Sequence, residues 1–346
     1  MKRFACLIPL LLLVCLGASS PLAEEAVSLT LPPRLKDIGA ARVRSVVDGD
    51  TVRLEDGRQV RLVGTQAPKL PLGRKDFKAW PLGDESKALL ERLLLGRAVT
   101  LHAGGAEMDR HGRVLAHLLR DDGLWVQGAM VEAGMARVYS FPDNRVAVAE
   151  LLALETAART ARRGIWADPY YAVRTDISVA RHVGGYELVE GRVLHVTTVK
   201  GRSYLNFGSD YKTDFTITLD TVGRRALAKH KLKPEFFEDS VIRVRGWVSW
   251  ENGPMIAVNH PEQIEILSPS ESLQAALQKA IKPPKRVKAD KAAKSPKGES
   301  KEKPAKRARR SKAEKADKTE TGDQPDKPRK PRKPRVKKPK EPEDSL

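Results

Sequence analysis

Cysteine is nearly missing from these 346 residues: the only two, Cys6 and Cys15, lie at the extreme N-terminal end. The rest of the chain can form no disulfide, offers no thiol nucleophile and builds no cysteine-ligated zinc, so its folds must be held by burial. Aromatic residues make up only 5% of the chain, and none lies beyond residue 270. Beyond the first 23 residues no apolar run approaches the roughly 20 residues that cross a bilayer.

What the ends do contain is distinctive. Lys2 and Arg3 precede an apolar run from 4 to 18, and small residues follow, which reads as an export signal over residues 1–23. Val14 before Cys15 is too bulky for the usual context of a lipid-modified cysteine. The expectation is export to a bacterial periplasm or secretion, with no transmembrane segment once the signal is removed. The net charge of +19 is concentrated at the other end: residues 271–346 hold 26 Lys and Arg against 12 Asp and Glu, with ten prolines. Such a segment cannot bury enough apolar surface to offset its chain entropy, so a disordered tail is expected there. Its charge attracts polyanions in general, nucleic acid or an anionic envelope or membrane surface alike.

Two segments between the ends carry folding patterns. Residues 38–168 open with alternating strands around an Asp-Gly-Asp turn and a hairpin at 55–58. Helical periodicity follows over 84–95, 125–133 and 146–163, with two strands, "AVTLHAG" and "GRVLAHLLR", between the first two. Residues 180–268 are nearly all strand, five short alternating runs that suit a small closed barrel, with a helix at 224–230.

Four ordered motifs in the first segment, "DGDTVRL" (48–54), "VRLVGTQAP" (60–68), "DRHGRVLAHL" (109–118) and "VQGAMVEAGMARVY" leading to "RRGIW" (126–166), resemble the thermonuclease, or staphylococcal nuclease-like, family. The resemblance implies a mainly β fold with α: a five-stranded barrel capped by three helices. It also implies calcium-dependent phosphodiester cleavage. By position Asp50 corresponds to a calcium-binding carboxylate, and Arg61 and Arg113 to the arginines that hold the phosphate. Those residue types suit the chemistry, since calcium takes carboxylate oxygens and guanidinium matches phosphate oxygens bidentately.

The loop "TQAPK" departs from the pattern. The family turn ordinarily reads Asp-Ala-Pro-Glu or Asp-Thr-Pro-Glu, its aspartate on calcium and its glutamate the general base. Here Gln66 stands at the aspartate position and Lys69 at the glutamate position, so the site gains three positive units. Gln66 offers calcium a neutral carbonyl in place of a carboxylate, and a charged Lys69 is no base. The leading expectation is a metal-poor phosphate cradle of Lys69, Arg61 and Arg113 that binds nucleic acid. One competitor is an active calcium-dependent nuclease with a relocated base among Asp48, Asp76, Asp84, Glu85 and Asp109. Another is a protein-interaction scaffold.

The second segment is similar to an oligonucleotide/oligosaccharide-binding barrel, a class that binds single strands on aromatic platforms and basic grooves. Tyr204, Tyr211 and Trp250, with Arg202 and Lys212, are the candidate substrate-binding residues; Phe207 and Arg245 are further candidates. Phe215 and Trp247 are expected in the core. His195, His230 and His260 lack ligand spacing and read as structural.

Overall fold

A computed structural model describes residues 29–281. The expected export signal and all but the first part of the basic tail lie outside the described residues.

A long first strand organises the N-terminal half. β1 (Lys36–Asp48) pairs through its second part with β2 (Thr51–Leu54) and through its first part with β5 (Ala98–Ala103). Register shifts along β1 bend it, so one strand can serve both neighbours. With β3 (Gln59–Leu62) and β6 (Val114–Arg120) the order β1-β2-β3-β6-β5 closes into a barrel. Val43, Val52, Leu54, Val60, Leu101 and Leu118 alternate inward and are fully buried.

Outside the barrel a short β4 (Gly64–Gln66) pairs with β7 (Arg137–Tyr139). The helices are α1 (Gly83–Leu94), α2 (Val126–Glu132) and α3 (Val148–Thr160), as the periodicity predicts. Leu90 and Leu94 of α1 are completely buried, each contributing about 2 kcal/mol of apolar transfer.

The C-terminal half is a curled sheet. β8 (Arg174–Thr175), β9 (Tyr186–Arg192), β10 (His195–Val199), β11 (Arg202–Asn206) and β12 (Thr216–Leu219) precede α4 (Thr221–Lys229). β13 (Val241–Trp250), β14 (Pro254–Val258), β15 (Ile264–Ser268) and α5 (Glu271–Ile281) complete it. The neighbours run β10-β11-β12-β14-β13-β9-β8, with β15 beside β13. Only Val193 and Leu194 separate β9 from β10, and Leu194 N–H donates to Asn206 O at 2.8 Å, so the two act as one bent strand that brings the sheet back on itself.

Several expectations are corrected here. Disorder from residue 271 onward gives way to α5 over its first eleven residues, because Leu273 is completely buried in the second core. Arg245 is no groove cation: it is fully buried. Trp247 is 49% exposed rather than core, and its indole N–H donates to the Tyr139 hydroxyl at 3.0 Å. Phe207 and Phe215 stack 4.9 Å apart inside the second core, which removes Phe207 from any binding face.

The described residues form one compact unit, and a buried ion pair joins its halves. Arg245 on β13 donates to both carboxylate oxygens of Glu155 on α3, at 2.7 and 3.2 Å, and to Val138 O on β7 at 3.2 Å. Glu155 also accepts the Val138 N–H at 2.7 Å. Glu265 and Arg243 extend the network, with Arg243 bonding Glu265 at 2.8 Å.

Removing the Glu155 charge leaves two guanidiniums inside the fold, Arg245 and Arg159, sharing the Glu265 carboxylate with Arg243. Glu155→Gln is expected to cost about 3–5 kcal/mol, while Glu155→Leu combined with Arg245→Met recovers most of it; urea unfolding of the three variants reads the difference.

Two buried histidines set a second expectation. Burial, with a smaller contribution from His102, lowers His117 to about 3. Burial lowers His260 to about 4, partly opposed by Glu262. Unfolded histidines titrate near 6.5, so between about pH 6.5 and 4 the unfolded chain binds more protons than the folded one. Stability therefore falls with acidification across that window, by up to about 3 kcal/mol for each histidine. Urea midpoints measured across that range should fall steadily, and His117→Phe should flatten the slope.

Candidate functional site

The barrel mouth gathers the turn after β1, the end of β3, β4 and the loop after it. At the turn, the Asp50 N–H donates to Asp48 Oδ1 at 3.1 Å, closing the Asp-Gly-Asp bend. A side chain at Gly49 has no room, since its Cβ would lie 2.0 Å from Ser86 Oγ and 2.6 Å from Ala67 Cβ. The turn is therefore pressed between α1 and the loop that carries Lys69.

Asp50 is completely buried, with three hydrogen-bond donors and the Arg61 cation against its carboxylate. Lys69 Nζ lies 2.6 Å from Oδ2, Ala67 N–H 2.8 Å and Arg61 Nη2 3.2 Å, while Thr51 Oγ1 donates to Oδ1 at 3.2 Å. Burial by itself would raise this carboxyl, but the charges of Arg61 and Lys69, with hydrogen bonds from Lys69 and the Ala67 N–H, hold it well below the usual range. Asp48 goes the other way: burial and the neighbouring Asp50 charge raise it, although Lys69 Nζ is 3.8 Å from its Oδ2.

The other candidates are also engaged. Arg61 donates to Leu62 O at 2.5 Å, Thr65 O at 2.6 Å and Asp50 O at 3.3 Å, besides its contact with the Asp50 carboxylate. Both of its terminal nitrogens are therefore committed to the barrel mouth itself, through three hydrogen bonds to carbonyls and the ion pair with Asp50. Arg113 pairs with Asp109 through Nε and Nη2, both at 2.7 Å, which leaves its second terminal nitrogen free. Gln66 turns its carbonyl to Arg137 Nε at 2.8 Å. Asp76, Asp84 and Glu85 are exposed and bond to nothing in the site.

These residues do not fit calcium. The best carboxylate already holds an ammonium, the Gln66 oxygen is occupied by a guanidinium, and no cluster of three metal-ligating side chains exists among the described residues. A hard cation needs six or more oxygens and would meet repulsion from Lys69 and Arg61.

Around this centre lies a cleft of about 660 Å³. Arg61, Lys69, Arg110 and Arg113 bring charge to it, and Tyr139 and Phe141, in edge contact at 4.8 Å, supply an aromatic wall. Sequence reasoning missed Arg137, Tyr139 and Phe141. In "ARVYSF" alternation places Arg137 outward, and distant rings bury it: Tyr186 lies 4.8 Å from its guanidinium, and Trp80 and Tyr171 each lie 5.7 Å away.

The closed five-stranded barrel with helices around it and an arginine-and-carboxylate mouth defines a nuclease-type barrel. The family model described as staphylococcal nuclease homologue matches residues 59–168, beginning at the first residue of β3. A protein of Escherichia coli named "Uncharacterized endonuclease" is 34% identical over 130 residues, 37% of this chain and 76% of that protein. "Protein ParB" of Escherichia coli is 31% identical over 159 residues, 43% of this chain and 83% of that protein. "Endonuclease YhcR" of Bacillus subtilis (strain 168) is 28% identical over 145 residues, 39% of this chain but only 12% of that protein. The chain belongs to the staphylococcal nuclease homologue family.

Lys69→Met tests the internal pairing. With the ammonium gone, Asp48 and Asp50 repel each other in a buried turn, and the expected cost is about 1–3 kcal/mol, discounted from the fully buried case because Lys69 is partly exposed. Asp48, already raised, should rise further. A raised carboxyl stabilises most when protonated, so the deficit relative to wild type should shrink toward acid pH in urea titrations.

Proposed function

We propose that the chain binds nucleic acid at the barrel mouth without calcium and does not cleave it by the family's calcium chemistry. The observation that carries this reading is the Lys69 ammonium, 2.6 Å from Asp50 and 3.8 Å from Asp48, filling the place between two carboxylates with a charge of the chain's own. Lys69 and Arg113 remain 25% and 30% exposed, and both keep N–H groups that no described residue accepts. Together with Arg110 they can hold a phosphodiester, while Tyr139 and Phe141 offer faces to an adjoining base.

The names of the relatives favour a second reading, hydrolysis, and one assay separates the two. Purified protein is incubated with labelled single- and double-stranded DNA and RNA, with calcium or with EDTA. Binding that is indifferent to EDTA, no cleavage, and an affinity about tenfold lower in Arg113→Ala support the proposal. Calcium-dependent cutting by the wild type overturns it. Gln66→Asp with Lys69→Glu tests whether calcium chemistry returns, with Arg137 beside position 66 as a competitor for the new carboxylate.

We also infer that the protein works outside the cytoplasm, in a periplasm or after secretion. Support comes from the charged start, short apolar run and small residues over 1–23, and from the absence of cysteine beyond them. Fractionation with an antibody to the C-terminal half checks it.

A further inference from the structure

We propose that Trp247, on the C-terminal half, belongs to the nucleic-acid site and stacks a base next to those taken at the barrel mouth. The inference rests on the reading that the mouth binds nucleic acid and deepens it: the ligand becomes an unpaired strand that reaches from one half to the other. Trp247 lies outside the residues that the family model matches, 59–168. β13 turns Arg243, Arg245 and Trp247 to one face, while Val244 and Val248 alternate with them into the second core. Arg245 bonds the Val138 carbonyl at 3.2 Å, and two residues on the Trp247 indole N–H donates to the Tyr139 hydroxyl at 3.0 Å. Val138 and Tyr139 are neighbours in β7, so these are successive steps of one docking surface. Arg245 is sealed inside it, and Trp247, half exposed, stands at its edge.

A row of rings runs from the mouth to that edge. Centres lie 4.8 Å apart for Phe141 and Tyr139, 4.8 Å for Tyr139 and Tyr186, and 5.9 Å for Tyr186 and Trp247. The interplanar angles, 83°, 81° and 71°, make each contact edge-on, so neighbouring rings do not cover each other face to face. Tyr186 is buried and sits opposite Trp247 in the β9–β13 ladder, which anchors the row. Phe141 and Trp247, each close to half exposed, are its open ends. Phe141 and Tyr139 wall the cleft that holds Lys69, Arg110 and Arg113, and Trp247 bonds the back of that wall through the Tyr139 hydroxyl.

An indole pinned through its only polar atom keeps its apolar faces in a fixed orientation before a ligand arrives, which lowers the entropy cost of binding. Cations that grip a phosphate, followed by rings that lead away from it, match a single strand, and stacking accepts any base because every base has a π-face. A duplex stacks its bases on one another and has no inner faces to give to such a row. The other aromatic cleft, of about 400 Å³ over β11, β12 and β14, lacks this combination. Tyr204 and Tyr211 line it with Glu251, and its lining holds no lysine or arginine. The sequence candidates Arg202, Lys212 and Trp250 lie outside that lining.

The test uses the full chain in EDTA. Isothermal titration calorimetry gives the affinities of a phosphorylated dinucleotide and of a single-stranded octanucleotide for wild type, Trp247→Ala, Trp247→Phe and Trp250→Ala. The octanucleotide is expected to bind wild type more tightly than the dinucleotide does. Trp247→Ala should lose about tenfold for the octanucleotide and nothing for the dinucleotide, which also shows that its mouth is folded. Trp247→Phe keeps a ring without the hydrogen bond to Tyr139 and should retain most of the affinity, which separates stacking from positioning. Trp250, 60% exposed on the other face of β13, serves as the control, and its alanine variant should bind as wild type. An octanucleotide carrying a photoreactive iodouracil should crosslink wild type at the peptide that holds Trp247. Full octanucleotide affinity in Trp247→Ala, equal losses at both lengths, or crosslinks only elsewhere overturns the inference and leaves the barrel-mouth reading standing. Failure of wild type to bind either ligand removes both.

Discussion

Glu155 and Arg245 form the contact on which the rest of the arrangement depends. Both are wholly buried, one on a helix of the N-terminal half and the other on the central strand of the C-terminal sheet. A carboxylate and a guanidinium out of water are tolerable only with every oxygen and most N–H groups answered, and here they are: each also bonds the backbone of Val138. That residue sits in the short strand paired with the one that ends in Gln66. The C-terminal half therefore reaches the barrel mouth through hydrogen bonds, and its Tyr186 joins Trp80 and Tyr171 around Arg137 beside Gln66. The second lobe is part of the site's construction.

At the mouth itself, the change of sign read from "TQAPK" takes a particular form in three dimensions. The gain of positive charge does not produce a bare cationic bowl. Lys69 and Arg61 answer Asp48 and Asp50 one for one, and Arg113 answers Asp109. What is left for the proposed ligand is the unused hydrogen-bonding capacity of Lys69 and Arg113, together with Arg110, which bonds His111 rather than a carboxylate. The proposed recognition would then depend on geometry more than on long-range attraction, and would be screened less by salt than at an open patch.

Much of this was legible beforehand. The alternating runs around the Asp-Gly-Asp turn predict the barrel strands, and leucine spacing predicts α1 because Leu90 and Leu94 recur on the buried face. Glycine and asparagine turns delimit the strands of the second sheet. What sequence could not give was partnership across distance. Arg245 lies in an alternating strand that any reader would turn to solvent, and its partner is 90 residues away. Trp247 is exposed for the same reason: the face it occupies is set by where the first half docks. The end of α5 in basic sequence is another case, since one buried leucine, Leu273, holds a helix that composition assigns to a tail. The family motifs place Asp50, Arg61 and Lys69 in one sequence neighbourhood, and the fold brings them into contact at the barrel mouth, but only the structure shows that Arg61 serves the chain's own carbonyls.

A tethered ammonium differs from a bound metal ion in one respect that outlasts any single structure. An ion exchanges with the surroundings, so a mouth that depends on it follows the ionic composition of the medium. Lys69 is joined to the backbone and arrives with the fold, at a fixed stoichiometry of one and with no dissociation constant. The charge between Asp48 and Asp50 is thus a property of the polypeptide and not of its solution. On the proposed reading, a barrel closed in this manner would keep the same electrostatic state in calcium-rich and calcium-poor surroundings.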